Sequence, residues 1–260
     1  MMERVVNVHQ FLWRHGLAPS RKDFRPIKRV RSYARFWRDW RAYQQLPGAE
    51  ALRLRDSFPQ LEDDTGATAV DSHYFYQAVW LSNRLGSIRP ALHVDVGSDH
   101  RMVGTLTGIS KIVFTEIRPL EARLSRLVQA TGSIVDLPFR SDSILSLSCL
   151  HVAEHVGLGR YGDHMDPRGT QRSAQELSRV LARGGDLFFS LPVGRHRVEF
   201  NAHRIHTPAQ VIAMFPELDL REFSIEDDRG QYLEDANPLD YAEASYACGM
   251  FWFRKRDGRG

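Results

Sequence analysis

From residue 91 onward, short apolar runs alternate with polar, helix-like stretches. Residues 91–96 (ALHVDV) form the first run, which stops at Gly97 and passes into helix-like sequence containing Gly104. Lys111–Glu116 is a second run and predicts a strand ending in a carboxylate. Residues 119–130 place Leu120, Leu124, Leu127 and Val128 on one face behind an opening proline, which predicts a helix. Residues 133–136 predict a third strand, again ending in an acid, and Ile144–Leu150 a fourth. A helix over 173–181, stopped by Arg183-Gly184-Gly185, leads to a fifth strand at 186–191 that Pro192 ends. A short helix at 208–215 and two last strands at 220–225 and 247–253 complete the pattern. Strands alternating with helices predict an α/β, doubly wound sheet that binds its ligand at the carboxyl ends of its strands.

The first 70 residues differ in character. Between residues 21 and 41, arginine and lysine far outnumber Asp23 and Asp39, and Tyr33, Trp37 and Trp40 follow helical spacing. Two readings stay open for this basic aromatic helix. It docks on a membrane surface or acidic partner, or its aromatics pack on the main domain while its arginines face water. An RNA-binding arm fits less well, because the remainder is close to acid–base balance. Pro47-Gly48 and residues 60–69 read as loop. Asp71 or Ser72 then caps a helix carrying Ala78, Val79, Trp80, Leu81 and Leu85. The expected division is a basic, mainly helical extension over 1–70 and one catalytic-type domain over 71–260.

Composition narrows the class. The chain of 260 residues is 42% hydrophobic and 26% charged, as expected for a folded globular protein. A formal net charge of only +3 argues against a dedicated nucleic-acid binder. Cys149 and Cys248 lie far apart, each in an apolar run, and read as buried free thiols in a reducing compartment. The opening residues carry charges within their apolar stretch and no small-residue cleavage site, so they do not read as a signal peptide. No run reaches membrane-spanning length, and a cytoplasmic location is expected.

Candidate chemistry collects at the strand ends, where Asp95, Glu116 and Asp136 stand. The spacing from Gly97 to Glu116 is close to the roughly 20-residue offset at which an acid meets a ribose diol. A carboxylate suits that task because it accepts from both hydroxyls. Asp136 stands one strand farther from the loop, where an adenine amino group can be met. A nicotinamide dinucleotide is the rival ligand, but its GxGxxG turn is missing and Asp99 would face the pyrophosphate. One ribose and no phosphate fits better.

The sequence resembles the class I S-adenosylmethionine-dependent methyltransferases in HVDVGS (93–98), Glu116, DLPF (136–139), LSCLHVAEHV (147–156) and ELSRVLARGGDLFFSLP (176–192). Within them it is similar to an uncharacterised bacterial family often associated with surface-polysaccharide genes. That likeness rests on HYFYQ (73–77), residues 146–163, residues 191–206 and YACGMFWFRK (246–255). The resemblance implies a Rossmann-like methyltransferase sheet, mostly parallel, with an antiparallel C-terminal strand. It also implies that S-adenosyl-L-methionine is held by Asp95, Gly97 and Ser98 at its methionine part and by Glu116 at its ribose. Asp136 and Leu137 would flank the adenine. The chain departs from the superfamily in its first loop, where Asp99 and Arg101 replace further glycines.

A methyl acceptor needs alignment and, if a hydroxyl, a base. His151 at the end of the fourth strand is the expected base, with Glu154 and His155 beside it in a first helical turn. Arg160, Tyr161 and Asp163 lie in a glycine-punctuated loop too long for a simple connection. Asn201, His203 and Arg204 lie beyond the fifth strand; together with that loop they are the expected acceptor-binding set. His151 and His155 at i, i+4 also allow a metal, but no HExxH or cysteine spacing accompanies them, and none is expected. The expected activity is methyl transfer to a small polar or sugar-containing acceptor, in surface-polysaccharide biosynthesis. The alternative is a non-catalytic binding or scaffold protein of polysaccharide assembly on the same fold. Peripheral membrane contact falls to the basic helix.

Overall fold

The first five strands of the sheet are joined by crossovers rather than tight turns, so they lie parallel. A computed structural model of the chain describes residues 26–61, 64–68, 70–118 and 120–258. By its contacts the chain divides into two compact units, Met1–Ala69 and Val70–Gly260.

In the first unit, α1 (Pro26–Gln44) carries the aromatic stripe. Phe36 and Trp40 each contact Trp37, with ring centroids 5.0 and 5.9 Å away, and Tyr33 and Trp37 stay exposed. The opening of the basic run at residues 21–25, and the residues on which the signal-peptide reading rests, lie outside the described part. No helix among the described residues is long and apolar enough to cross a membrane.

The second unit begins with α2 (Ser72–Ile88), capped by Asp71, whose carboxylate accepts from the Tyr74 N–H. It continues through β1 (Leu92–Val96), α3 (His100–Leu106), β2 (Lys111–Glu116), β3 (Leu127–Thr131) and β4 (Ile144–Leu150). Next come α4 (Gly169–Val180), β5 (Leu181–Val193), a β6–β7 hairpin (Arg197–Glu199, His203–Ile205) and α5 (Pro208–Ala213). The chain closes with β8 (Leu218–Glu226), β9 (Tyr232–Leu233) and β10 (Ala247–Lys255). One eight-stranded sheet runs β3-β2-β1-β4-β5-β10-β8-β9. β1 to β5 are parallel, while β10 enters antiparallel between β5 and β8. The doubly wound α/β sheet is the architecture the alternating pattern predicts, and its mostly parallel order with antiparallel C-terminal strands is what the resemblance implies.

Helices cover both faces of the sheet. On one, Ala174, Leu177 and Val180 of α4 and Val211 of α5 pack on Leu147, Phe189 and Phe251. On the other, Trp80, Leu81 and Leu85 of α2 and Met102, Val103 and Leu106 of α3 pack on Ile112, Phe188 and Met250. Burying each of these side chains contributes on the order of 1.5–3 kcal/mol. α2 is further fixed by polar contacts at its C-terminal half. Trp80 Nε1 donates to Glu222 Oε1 at 2.9 Å, and Arg84 Nη2 donates to the same oxygen at 2.6 Å.

Three expectations change. The helix over 119–130 is absent: 120–126 is irregular and 127–131 is β3, an edge strand whose half-exposed residues leave no apolar run to read. Residues 133–136 form a turn with a Ser133–Asp136 bridge rather than a strand. Arg183-Gly184-Gly185 lies inside β5, where Gly184 at φ +69° accommodates an irregularity instead of ending the helix.

A buried polar chain joins β1 to β4. Ser148 donates its single hydroxyl proton to Asp95 Oδ2, so its oxygen accepts from His93 Nε2 at 2.8 Å. His93 Nδ1 consequently accepts from Ser146 Oγ, also at 2.8 Å. On the other side, Asp95 Oδ1 accepts the Ser98 N–H at 3.1 Å, and Ser98 Oγ accepts the Leu150 N–H at 3.0 Å. Burial pushes Asp95 up to about 6 against the pull of Ser148 and Ser98, and drives His93 down to about 3.

These shifts act oppositely on stability. The unfolded chain protonates His93 near pH 6.5, the folded one only near 3, so stability is lost as pH falls through that window. Asp95 holds its proton longer when folded, so its contribution declines as pH rises from 3.8 to about 6. Between pH 6.5 and 4, wild type should lose on the order of 3 kcal/mol more stability than His93→Gln, measured by urea unfolding at each pH. Parallel pH profiles would remove His93 as the cause.

Candidate functional site

The strand order reverses between β1 and β4, and the crevice beyond the carboxyl ends of those strands is where an open α/β sheet receives a ligand. Gly97 makes the turn at φ +71°. That left-handed conformation favours glycine, and a Cβ there would press on Val152 Cγ1 at 3.1 Å, a tight contact. Asp99 serves as N-cap of α3, accepting from the Arg101 and Met102 N–H groups, and pairs with the Arg101 guanidinium. The acid in the glycine-poor loop thus has a local structural task.

Glu116 ends β2 beside this turn. Its Oε1 accepts from the Ile117 and Arg118 N–H groups at 2.9 and 3.3 Å. Its Oε2 lies 3.8 Å from the space a Cβ on Gly97 would take. A cavity opens here, lined by Gly97, Glu116, Ile117, Ser133, Ile134 and Val152. It joins a carboxylate and exposed backbone to apolar walls, a donor set suited to a nucleoside with a free diol.

A second cavity, more polar, is lined by His73, Tyr74, Arg160, Asn201, His203 and Tyr246. His151 and His155 line both cavities. The 3-10 turn Ala153–His155 places the fully buried Glu154 beneath the two rings, 3.1 Å from His151 Nδ1 and 3.6 Å from His155 Nε2.

His151 is buried at φ +54°, a left-handed conformation that costs a side-chain-bearing residue on the order of 1–2 kcal/mol. Its Nε2 reaches Cys248 Sγ at 3.3 Å. Burial alone would depress this imidazole, but the Cys248 sulfur and the Glu154 carboxylate outweigh it and push it up to about 10. With Nε2 turned to Cys248 and Nδ1 to Glu154, His151 has no ring nitrogen left for an acceptor, which does not suit the base expected from its place at the strand end. His155 differs in degree: Nδ1 meets the Ala202 carbonyl at 2.6 Å, which puts its N–H there, while Nε2 stands 3.6 Å from Glu154 Oε1, outside hydrogen-bond distance, so its lone pair is the one not engaged by a protein donor.

The remaining expected residues divide. Asp95 and Ser98 do not line the cavity; both are buried and brace the Gly97 turn from beneath. Asp136 is exposed on the turn after β3, and Leu137 is buried in the core with its N–H donated to Glu176 Oε1 at 2.7 Å. Neither lines the first cavity, because β3 ends at Thr131 and Ser133 and Ile134 occupy that wall instead. Arg204 is buried and donates to the Val156 and Asp166 carbonyls at 2.5 and 2.8 Å, so it pins the loop and leaves no free guanidinium for an acceptor. Asp163 lines the first cavity while accepting the Gly157 N–H at 2.6 Å. Tyr161 also lines the first cavity, with Arg118 and Arg160 each 5.2 Å from its ring. Arg160, Asn201 and His203 line the second.

Sequence reasoning gave no role to His73, Tyr246 or Cys248, which the fold brings to His151. Their segments, HYFYQ and YACGMFWFRK, were visible only as stretches of resemblance.

Comparisons with known proteins agree on the architecture. YcgJ protein from Bacillus subtilis matches with a TM-score of 0.51 at 12% identity, over 71% of this chain and 100% of its own. N-methyltransferase NodS from Bradyrhizobium japonicum WM9, in complex with S-adenosyl-L-homocysteine, gives 0.50 at 14% identity, over 76% and 92%. The [4+2]-cyclase SpnF gives 0.50 at 13% identity, over 69% and 82%. The fold is that of class I S-adenosylmethionine-dependent methyltransferases, and likeness at such identities speaks to the fold alone. A protein-family model, "Caenorhabditis protein of unknown function, DUF268", matches residues 140–243. That description is of neither a bacterial nor a polysaccharide-associated family, so the finer resemblance gains no support. No curated protein sequence matches the chain.

The Gly97 turn gives a direct test. Gly97→Ala should cost on the order of 1–2 kcal/mol in urea unfolding from its left-handed backbone alone. It should also weaken nucleoside binding to the adjoining cavity; unchanged stability and unchanged binding would remove the turn from the site.

Proposed function

We propose that the protein is an S-adenosylmethionine-dependent methyltransferase acting on a small polar acceptor, such as a sugar hydroxyl. The observation that carries this reading is the Gly97 turn beside the Glu116 carboxylate at the reversal point of the sheet. The cofactor would supply a methyl group activated on a sulfonium. Glu116 holds the ribose hydroxyls, Ile117 and Ile134 border the base, and the Gly97 backbone approaches the amino-acid part. The acceptor lies in the second cavity, near Arg160, Asn201 and His203. His155 takes the acceptor's proton on Nε2, and the buried Glu154 carboxylate stabilises the imidazolium that forms.

A second reading keeps the fold as a binding protein without catalysis. It is favoured by His151, whose ring nitrogens are both turned to protein groups. Binding without turnover would support it.

Calorimetry with S-adenosylhomocysteine should give saturable binding that Glu116→Ala weakens about tenfold or more. Absence of heat with wild type at about millimolar ligand would end the cofactor assignment. With any acceptor that turns over in a panel of hexoses and sugar nucleotides, His155→Ala should slow formation of methylated acceptor and S-adenosylhomocysteine about 100-fold or more. Cofactor binding should stay within a few-fold. Unchanged turnover would take the base role from His155.

A further inference from the structure

We propose that His73, His151 and Cys248 form a zinc site between the two cavities, with its fourth coordination position facing the acceptor side. One ligand atom from each residue lies within 4.8 Å of the others, and all three residues are buried or nearly so. They arrive from three elements: the first turn of α2, the end of β4 and the start of β10. The separation of His151 Nε2 from Cys248 Sγ, 3.3 Å, is near the roughly 3.5 Å expected for two ligands of one tetrahedral zinc with its usual Zn–N and Zn–S bonds.

The surroundings supply an independent argument. A histidine that ligates a metal almost always gives its other ring nitrogen to a carboxylate or carbonyl. Here His151 Nδ1 stands 3.1 Å from Glu154 Oε1, and His73 Nε2 stands 3.1 Å from Glu226 Oε2. Both carboxylates are buried, and Glu154 Oε1 and Oε2 and Glu226 Oε2 make no directional hydrogen bond among the described residues. Two buried carboxylates behind two imidazoles and a thiol call for a compensating cation. Two imidazoles and one thiolate select a borderline-soft divalent ion, and zinc fits best. Binding is an exchange: a neutral His151 and His73 each offer a ring lone pair, and the Cys248 thiol proton leaves to solvent as the ion binds.

His73 and His151 line the second cavity, so the open position is within reach of water or of an acceptor oxygen. The three residues were not joined by any local spacing in the sequence. The site itself does not depend on the methyltransferase reading.

The test uses the full chain, stripped with chelator and titrated with Zn²⁺ and, separately, Co²⁺. One equivalent of Co²⁺ should bind and give a thiolate-to-cobalt charge-transfer band in the near ultraviolet. Cys248→Ser should lose that band, and Cys248→Ser and His73→Ala should each weaken Zn²⁺ binding about tenfold or more. His196→Asn, outside the cluster, should bind as wild type does. Wild type that binds no Co²⁺ at about micromolar concentration, or binds it without the sulfur band, overturns the proposal even where a variant fails to fold. So does Cys248→Ser that binds Zn²⁺ as wild type does. Calorimetry with S-adenosylhomocysteine on the same stripped protein reads the cofactor site separately, so failure of one assignment is distinguishable from failure of the other.

Discussion

The hydrogen-bonded chain from Ser146 through His93, Ser148, Asp95 and Ser98 to Leu150 is the constraint on which the site depends. β1 and β4 pair in parallel where the strand order reverses. Their register there comprises only Val94–Leu147 and Asp95–Ser148. Side chains therefore carry what the ladder does not. Buried polar groups are costly when unmatched, so each member of the chain holds the next in one rotamer and one tautomer. Ser98 ends the relay at the Gly97 turn, which fixes where the backbone faces the cavity. The turn's geometry is thus set from inside the sheet rather than by glycines within the loop.

This explains how much could be read in the sequence. Lys111–Glu116 and Ile144–Leu150 are strands with the bounds their apolar runs indicate, because both lie inside the sheet and are buried along most of their length. Glu116 was legible for the same reason: it is the polar residue at which such a run stops. β3 was illegible because an edge strand needs little apolar character, and its Leu127 and Val128 continue the helical spacing of Leu120 and Leu124. That error set the expected wall of the first cavity at Asp136 and Leu137, where Ser133 and Ile134 stand instead. The role of Asp99 was misjudged differently. Its charge looked hostile to a ligand, whereas its carboxylate is occupied by the N–H groups that open α3.

The histidine cluster lay beyond sequence reasoning for a topological reason. Nothing local links His73, His151 and Cys248; the antiparallel insertion of β10 between β5 and β8 brings its first residues to the end of β4. Likewise His151 appeared as a free base because its position at a strand end was visible. Glu154 beneath it and Cys248 beside it were not. A residue's chemistry here is decided by neighbours from distant parts of the chain.

α2 has a mechanical consequence. Its C-terminal half is clamped to β8 through Trp80, Arg84 and Glu222, while its first turn carries His73 into the second cavity. His73 and Arg84 are eleven helical steps apart, roughly 16 Å at about 1.5 Å per residue. Such a rod behaves as a lever with a fixed far end. A small tilt at Glu222 swings the His73 imidazole sideways, so a largely buried carboxylate of β8, outside the lining of either cavity, sets the aim of a ring inside one.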